Sequence, residues 1–579
     1  MNEPSRGVVA TPLTGRRFGI ALALTLAAVA AIWIRTPPLY FTNDDVLIRL
    51  GIEGQLVPGA PATGFVLFTH SALAWALVWL HAHTALPLWD LVTIGTLTVG
   101  IATIVALGWC AAGGGWLPGS IAVAALAIPA LPLLGGVQFT ISAVAAGGGA
   151  AALGFVELAG RRPRRSMIVA AVLLGLLGEM IRPMGASAGG LAVGVLLVPV
   201  AISAPAPLRR QYLLALATVL AGVAVVTTGL QYIDGLIYRL DPAWDEYQRY
   251  HWRLVHLLEW GGGTTLAEAD AMRHAAGWTV NDWVLLKRWL GVDPALHGVE
   301  QIARVMEAAP NAAWGGTLLT RLTQVFDAEH LRRLVAESAS VLGIAAVYAI
   351  VRGRGRENIP LAGATVAFVL FCLVLEVVFK DLPFRLLAPL QLCFAAVVVM
   401  TGGAGRAPAG WQPALGLVLL LALGGRELAT VVTRLEGSGR QAAQVDEEVR
   451  LLSRLDPSLL VLHADGFPAE IFWRPLVRRT DAPPNIRLDD NNQSPHLQRF
   501  LTATGRQPLL RAICQDPSIL IISEDDRIEP VVPYMREHFA ADVQWTKVFD
   551  ASFRAWRCTP RNAPGESDPV VRGRELKDR

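Results

Sequence analysis

Charge is what this sequence has least of. Only 17% of its residues are Asp, Glu, Lys or Arg, against about 25% in soluble globular domains. That shortfall argues against an ordinary soluble enzyme and points to lipid. The net charge of +3 is too small for a nucleic-acid binder, and the chain has neither a basic arm nor a series of stacking aromatics on a strand. Cysteine is scarce, five in 579 residues, and no Cys-x-x-Cys or Cys/His spacing suggests zinc. Cys110, Cys372 and Cys393 lie in or beside apolar runs and read as small buried hydrophobes. The glycine triplets at 113–115, 147–149 and 261–263 lack the Lys-Ser/Thr of a phosphate loop. The first two read as close packing between membrane helices, the third as a turn. No internal repeat is visible, which weakens a secondary-transporter reading.

What is abundant is apolar sequence: 53% of residues are hydrophobic and the mean hydropathy is +0.44. A membrane span needs about 20 apolar residues. Candidates lie at 18–34, 65–81, 89–108, within 117–158, and at 167–181, 188–203, 212–229, 335–351, 359–378, 386–402 and 411–428. The run after Arg16 and Arg17 is too long for a typical secretory signal core and is read as a retained first span. Pro118, Pro129 and Pro132 interrupt 117–158, which suggests one net crossing with a broken or re-entrant piece. Arginines cluster at 16–17, 161–165, 209–210, 352–356 and 406. Placed on the cytoplasmic side, they leave three segments facing outward: 35–64, about 233–334, and everything after about 426.

The expected fold is therefore an α-helical polytopic membrane protein of about 11 crossings with a small C-terminal α/β soluble domain. Its parts are a cytoplasmic N-terminus (1–17), a membrane domain (18–430), an outward α/β domain (440–560) and a disordered polar tail (561–579). The second outer loop reads as helical. Thr265 with Glu268 fits a capping box, Gly277 could end that helix, and Asp293-Pro294 opens another with Val299, Ile302, Val305 and Met306 on its apolar face. Trp244, Tyr247, Tyr250, Trp252 and Trp260 are either an interfacial aromatic belt or a stacking surface for a sugar or lipid. In the C-terminal part 443–455 looks helical, and 459–462, 519–522 and 543–549 look like strands. Outside the cell, Cys514 and Cys558 could form a disulfide; in a cytoplasmic domain they would be a reduced pair.

The segment after the first span carries the chemistry. Thr42-Asn43-Asp44-Asp45 places two adjacent carboxylates just beyond the membrane, ahead of a short amphipathic stretch that ends in Glu53 and Gly54. The bland reading is a helix N-cap by Asn43 or Asp44. Other ionisable groups are expected at the same level: Glu179 and Arg182 at the end of one span, Lys380, Asp381 and Arg385 in the turn before another, and Glu376 one turn deeper. Such groups at membrane depth usually face a protein interior or cavity. Their bland readings are an i,i+3 bridge for Glu179–Arg182 and snorkelling for Lys380 and Arg385. Acids and bases from three separate loops could meet at one site, suited to a hydroxyl nucleophile and a departing phosphate.

A first span, an outer loop that opens with Asn43-Asp44-Asp45, many later spans and a soluble outer domain resemble the GT-C glycosyltransferases. Phe384-Arg385-Leu386-Leu387-Ala388-Pro389-Leu390 is similar to the Arg-Tyr…Pro stretch of protein mannosyltransferase-like members, with Leu386 where an aromatic is common. The resemblance implies an inverting transfer of a sugar from a polyprenyl-phosphate donor to a hydroxyl of a glycan, lipid or protein. Asp44 or Asp45 would be the general base. Arg182, Lys380 or Arg385 would hold the departing phosphate, with Glu53, Glu179 and Asp381 as supporting acids. The adjacent carboxylates could ligate Mg²⁺ or Mn²⁺, though adjacency does not establish it. A bacterial inner membrane with a periplasmic C-terminal domain fits this layout. Alternative readings are a polysaccharide polymerase or ligase, a transporter or flippase, and a non-catalytic cell-envelope assembly protein.

Overall fold

The structure is a computed structural model and describes residues 13–561 and 571–572, apart from 85, 114, 161, 261–265, 309–327, 353–357, 380–381, 403–410, 464–465, 480–482, 489–491 and 526. In chain order, α1 (Gly15–Arg35) leads to β1 (Leu39–Tyr40), α2 (Asn43–Glu53) and α3 (Ser71–His83). A helical bundle follows: α4 (Leu88–Ala111), α5 (Trp116–Leu134), β2 (Gly136–Val137), α6 (Phe139–Leu158), α7 (Arg165–Ile181), α8 (Gly185–Ser203) and α9 (Ala206–Tyr238). The described part of the large loop holds α10 (Pro242–Val255), a π-helical turn (His256–Trp260), α11 (Leu266–Ala276), α12 (Val280–Lys287), α13 (Pro294–His297) and α14 (Val299–Ala308). The bundle then closes with α15 (Ala328–Arg352), α16 (Ile359–Phe379), α17 (Phe384–Gly402) and α18 (Gln412–Ser453).

Among the described residues ten helices are long and apolar enough to cross a membrane: α1, α4, α5, α6, α8, α9, α15, α16, α17 and α18. With 17 residues, α7 reaches the lower limit of a span. This is a polytopic membrane protein, and two details of the expected topology change. The run at 65–81 does not cross. Its helix, α3, has 13 residues, about 20 Å at 1.5 Å per residue, too short for a hydrocarbon core of about 30 Å. Both its ends lie at one end of the bundle: His70 N–H donates to the Met180 carbonyl at 2.9 Å, and His83 is followed within five residues by α4. Residues 117–158 form two helices, α5 and α6, rather than one net crossing. Pro129 and Pro132 sit inside α5 without ending it, and the chain turns at Gly135–Gly136 instead. One span lost and one gained leave every later helix pointing as expected.

The arginine-rich ends converge. The Arg17 guanidinium reaches Cys110 Sγ at 3.7 Å, Arg164 bonds the Leu13 carbonyl and the Glu157 carboxylate, and the Gln211 amide donates to the Ala159 carbonyl at 3.0 Å. At the far end the Trp33 indole donates to the Leu134 carbonyl at 2.9 Å, and β1 pairs in parallel with β2, Leu39 with Gly136. The bundle core is built on small residues. A Cβ on Gly147 would lie 1.9 Å from the Ala186 carbonyl oxygen, and one on Gly148 2.3 Å from Cys393 Sγ. The 147–149 triplet is thus a close approach of α6 to its neighbours. Gly113 differs: it has φ +80° with open space around it and serves the turn between α4 and α5.

Helix α18 has 42 residues, about 63 Å, and runs from the bundle into the C-terminal domain. The helix expected at 443–455 is its continuation, not a separate element. Beyond it lie β3 (Leu459–Leu462), α19 (Ala469–Phe472), β4 (Asn485–Arg487), α20 (Pro495–Ala503), α21 (Leu509–Gln515), β5 (Ile519–Ile522), α22 (Val531–Phe539), β6 (Val543–Asp550), β7 (Arg554–Pro560) and β8 (Val571–Arg572). The sheet order is β4-β3-β5-β7-β6-β8. β4, β3 and β5 are parallel, while β7 is antiparallel to both neighbours. β3 and β5 are buried along their whole length, as strands covered on both faces must be. One face packs with Val57, Leu285, Leu290 and Val292, the other with Tyr40, Val46, Leu50 and the end of α18. The 35–64 segment and the large loop between α9 and α15 therefore complete the core of this domain. Cys514 on α21 and Cys558 on β7 are joined by a disulfide. Cys110, Cys372 and Cys393 are free and buried.

Candidate active site

Helix α2 begins at Asn43, and Asp44 and Asp45 occupy its first turn, where unpaired backbone N–H groups favour negative charge. The capping position is Thr42, whose side chain makes no cap bond. Its hydroxyl instead donates to Asp45 Oδ2 at 3.1 Å. Consecutive helical residues point about 100° apart, so the two carboxylates part company. Asp45 turns inward and is fully buried; its Oδ1 accepts the Phe139 N–H, at the start of α6, at 3.1 Å. Burial, reinforced by the neighbouring Asp44 charge, raises its pKa well above the usual carboxylate range. Asp44 turns the other way and meets Arg385 Nη1 at 3.1 Å, across 341 residues of chain.

Arg385 is the second residue of α17. It is held near the membrane domain's far end by the edge-on contact of Phe384 with Phe41, centroids 6.0 Å apart. Lys380 and Asp381 lie outside the described residues. Arg182 follows α7, and its guanidinium lies 4.7 Å from the Phe68 ring centroid and 5.4 Å from that of Phe139. Phe139 thus links Arg182 to Asp45, and Phe68 links Arg182 to the cleft described below. Glu179 closes the turn into α8: its oxygens accept from the Met184 N–H at 2.7 Å, the Ser187 N–H at 3.1 Å and the Ser187 hydroxyl at 2.9 Å. Glu376 accepts the Leu382 N–H at 3.1 Å. Glu53 pairs with Arg49 at 2.8 Å. These three acids brace turns and helices; of the expected site residues Asp44 lines the cleft, Arg385 touches it through Asp44, and Arg182 through Phe68.

That cleft, about 40 Å³ in volume, is lined by Asp44, Leu47 and Ile48 of α2, Leu56, the 65–68 segment, Trp244 and Tyr247 of α10, and Ser494 of the C-terminal domain. Phe68 has φ +67°, a conformation that costs a non-glycine residue about 1–3 kcal/mol. Its neighbours hold it there. The Tyr238 hydroxyl donates to the Val66 carbonyl at 3.3 Å, Thr69 Oγ1 to the Ile181 carbonyl at 3.1 Å, and the Ser71 N–H to Asp234 Oδ1 at 2.7 Å. Phe65 stacks on Trp244 with centroids 5.5 Å apart. Trp244, Tyr247 and Tyr250 are buried in one cluster with Tyr238 and Trp283, so they do not form a lipid-facing belt, and two of them form the wall opposite Asp44. His251 lies behind this wall, 5.3 Å from the Phe68 ring; burial and the Arg182 charge lower its pKa to about 3, which keeps it neutral.

Sequence reasoning passed over a second charged group. Arg49, on α2, reaches Asp90 at 3.3 Å as well as Glu53. It also donates to the carbonyls of Arg474 at 2.9 Å and Val477 at 2.8 Å in the C-terminal domain. Tyr40 donates to Asp90, and the Leu476 N–H donates to Asp90 at 2.7 Å. Arg49 and Asp90 are buried. An acid at the head of an apolar run was the available signal. This group fixes α2, and with it Asp44, against both the bundle and the C-terminal domain. A metal-competent cluster lies elsewhere: among the described residues, Asp282, Glu537 and His538 bring three ligand atoms within 4.8 Å of one another.

No family model matches the chain, and no curated protein matches it. Solved structures do. The chain is similar to ArnT from Cupriavidus metallidurans in the apo state, at 15% identity and a TM-score of 0.35, over 93% of this chain and 97% of that one. It is similar to the same protein bound to undecaprenyl phosphate at 14% identity, with the same coverage and TM-score.

Proposed function

We propose that this protein is an inverting membrane glycosyltransferase that moves a sugar from a polyprenyl-phosphate donor to a hydroxyl acceptor. The observation that carries the reading is the contact of Asp44 with Arg385 at 3.1 Å, a carboxylate that lines an aromatic-walled cleft and a guanidinium from 341 residues further along the chain. Asp44, not the buried Asp45, is then the base. It takes the proton of the acceptor hydroxyl as that oxygen bonds to the anomeric carbon. The bond from that carbon to the phosphate oxygen breaks, and its electron pair leaves with the phosphate. Arg385 neutralises that charge, with Arg182 and, on sequence grounds, Lys380 contributing to the same field. Fixed cationic donors act strongly on charge that develops in a water-poor site. One displacement with one base inverts the anomeric centre. Trp244 and Tyr247 supply the flat apolar faces on which a sugar ring or the first isoprenes can lie. The site faces the non-cytoplasmic side if the arginine-rich ends are cytoplasmic, and a bacterial inner membrane fits the layout.

The test uses the full chain in proteoliposomes with a panel of radiolabelled polyprenyl-phosphate sugars and a membrane extract as acceptor. Transfer by the wild-type protein that is lost in Asp44→Asn supports the reading. Transfer unaffected by Asp44→Asn overturns it.

A further inference from the structure

We propose that Asp282, Glu537 and His538 form a binding site for a divalent transition-metal ion such as Zn²⁺, which ties the outer-loop helices to the C-terminal domain. The three residues come from two segments about 255 positions apart. Asp282 lies on α12, and Glu537 and His538 on the last turn of α22. Their ligand atoms lie within 4.8 Å of one another. His538 Nε2 is 2.9 Å from Asp282 Oδ1, a separation that would open by a few tenths of an ångström round a tetrahedral ion with ligands at about 2.0–2.2 Å.

Three features favour a cation over a plain hydrogen-bond network. The first is charge. Asp282 is fully buried and Glu537 stands beside it, yet among the described residues no Lys or Arg pairs with either carboxylate. Among the described residues the ion-pair partner of Asp282 is an imidazole, a group that binds metals in its neutral form. The second is orientation. Thr279 N–H donates to Asp282 Oδ2 at 2.8 Å, and Glu537 accepts from Thr279 Oγ1 at 2.9 Å and Asn281 Nδ2 at 2.5 Å. The Tyr534 ring lies 5.0 Å from the His538 ring. Donors that hold ligating carboxylates are a usual part of metal sites. The third is access. Glu537 and His538 reach the surface, so an ion can enter and water can complete its coordination. One nitrogen and two oxygens suit zinc and its neighbours better than Mg²⁺ or Ca²⁺, which prefer oxygen alone.

The site joins the two parts that also wall the cleft, Trp244 and Tyr247 on the loop side and Ser494 on the C-terminal side. It is independent of the transferase reading, because its test reads binding and not turnover. Untagged full-length protein in detergent is stripped with a chelator and titrated with Zn²⁺, with Mg²⁺ as control, by calorimetry and by thermal unfolding. The expected result is stoichiometric Zn²⁺ binding and a higher melting temperature, neither reproduced by Mg²⁺. Both are lost in His538→Ala and Glu537→Gln, and Asn281→Ala weakens affinity by about 10–100-fold. The ligand variants alter surface positions, and their metal-free melting temperatures report whether they fold. The proposal fails if the wild-type protein binds no Zn²⁺, or if His538→Ala and Glu537→Gln, folded as the metal-free wild type is, bind it equally well.

Discussion

Replacing Arg49 with alanine should loosen the C-terminal domain from the bundle. The side chain is buried and serves five partners: Glu53, Asp90, the Tyr40 hydroxyl, and the carbonyls of Arg474 and Val477. Its loss leaves Asp90, itself fully buried, with an uncompensated charge. It also leaves two carbonyls without this donor. Breaking a buried ion pair from one side costs about 3–5 kcal/mol. The Leu476 amide reports the event directly, because it donates to Asp90 and exchanges with solvent only when the contact opens. At tenfold per 1.4 kcal/mol its protection should fall by roughly 10²- to 4 × 10³-fold, and proteases should release the C-terminal domain sooner. A paired replacement, Arg49→Leu with Asp90→Leu, removes both charges and should recover part of the loss, since apolar substitutes for buried pairs are often tolerated. Hydrogen exchange at Leu476 unchanged in Arg49→Ala would refute the argument. So would a double variant no better than the worse single one.

Asp45→Asn should retain most activity in the transfer assay, whereas Asp44→Asn should lose about 10²–10⁴-fold, the usual worth of a general base. The raised pKa of Asp45 fixes a pH trend as well. Its protonated form is the one that the fold favours, so its contribution is complete below the unfolded carboxylate pKa and is lost as pH rises through the folded value. Unfolding of wild type and Asp45→Asn compared from pH 4 upward should therefore show the wild type losing ground; a constant difference would sink the assignment. Arg385→Ala should cost about 10²–10³-fold in turnover, the scale of one charge-stabilising donor, with Arg385→Lys retaining more. Reduction of Cys514–Cys558, which closes a loop of 44 residues, should cost about 4 kcal/mol on the chain-entropy estimate, measured as a lower melting temperature of the full chain in reductant. Gly147→Ala should reduce the yield of folded protein, because its Cβ would overlap the Ala186 carbonyl.

The sequence exposed some of this and hid the rest for physical reasons. Asp44 and Arg385 were legible because ionisable residues beside apolar runs are few, and each such residue demands a partner. Their pairing across 341 positions follows from span parity, and parity survived two opposite errors. Hydropathy measures how apolar a run is, not where its helix begins. The run at 65–81 is apolar, but its first third is spent on the strained turn at Phe68, and the helix that starts at Ser71 has only 13 residues and ends beyond the run, at His83. In 117–158 Pro129 and Pro132 lie inside a continuous helix, and the chain reverses at Gly135–Gly136, a pair with no stronger local turn signal than the prolines. Which of Asp44 and Asp45 faces the cleft depends on helical phase and on where α6 begins, neither of which a dipeptide discloses. Asp90 and the docking of loop residues 474–477 depend on a contact spanning 386 positions, with no local pattern to betray it.

The contact between Asp44 and Arg385 ties the two proposed roles to a single pair of side chains. On the transferase reading proposed above, the base and the group that receives the departing phosphate would be direct neighbours before any donor arrives. In the proposed transfer an arriving lipid phosphate would compete for the same guanidinium and, by drawing it away, would free the carboxylate. Donor loading and base activation would then be one event, and wasteful hydrolysis would be held in check by the same arginine that steadies the departing anion.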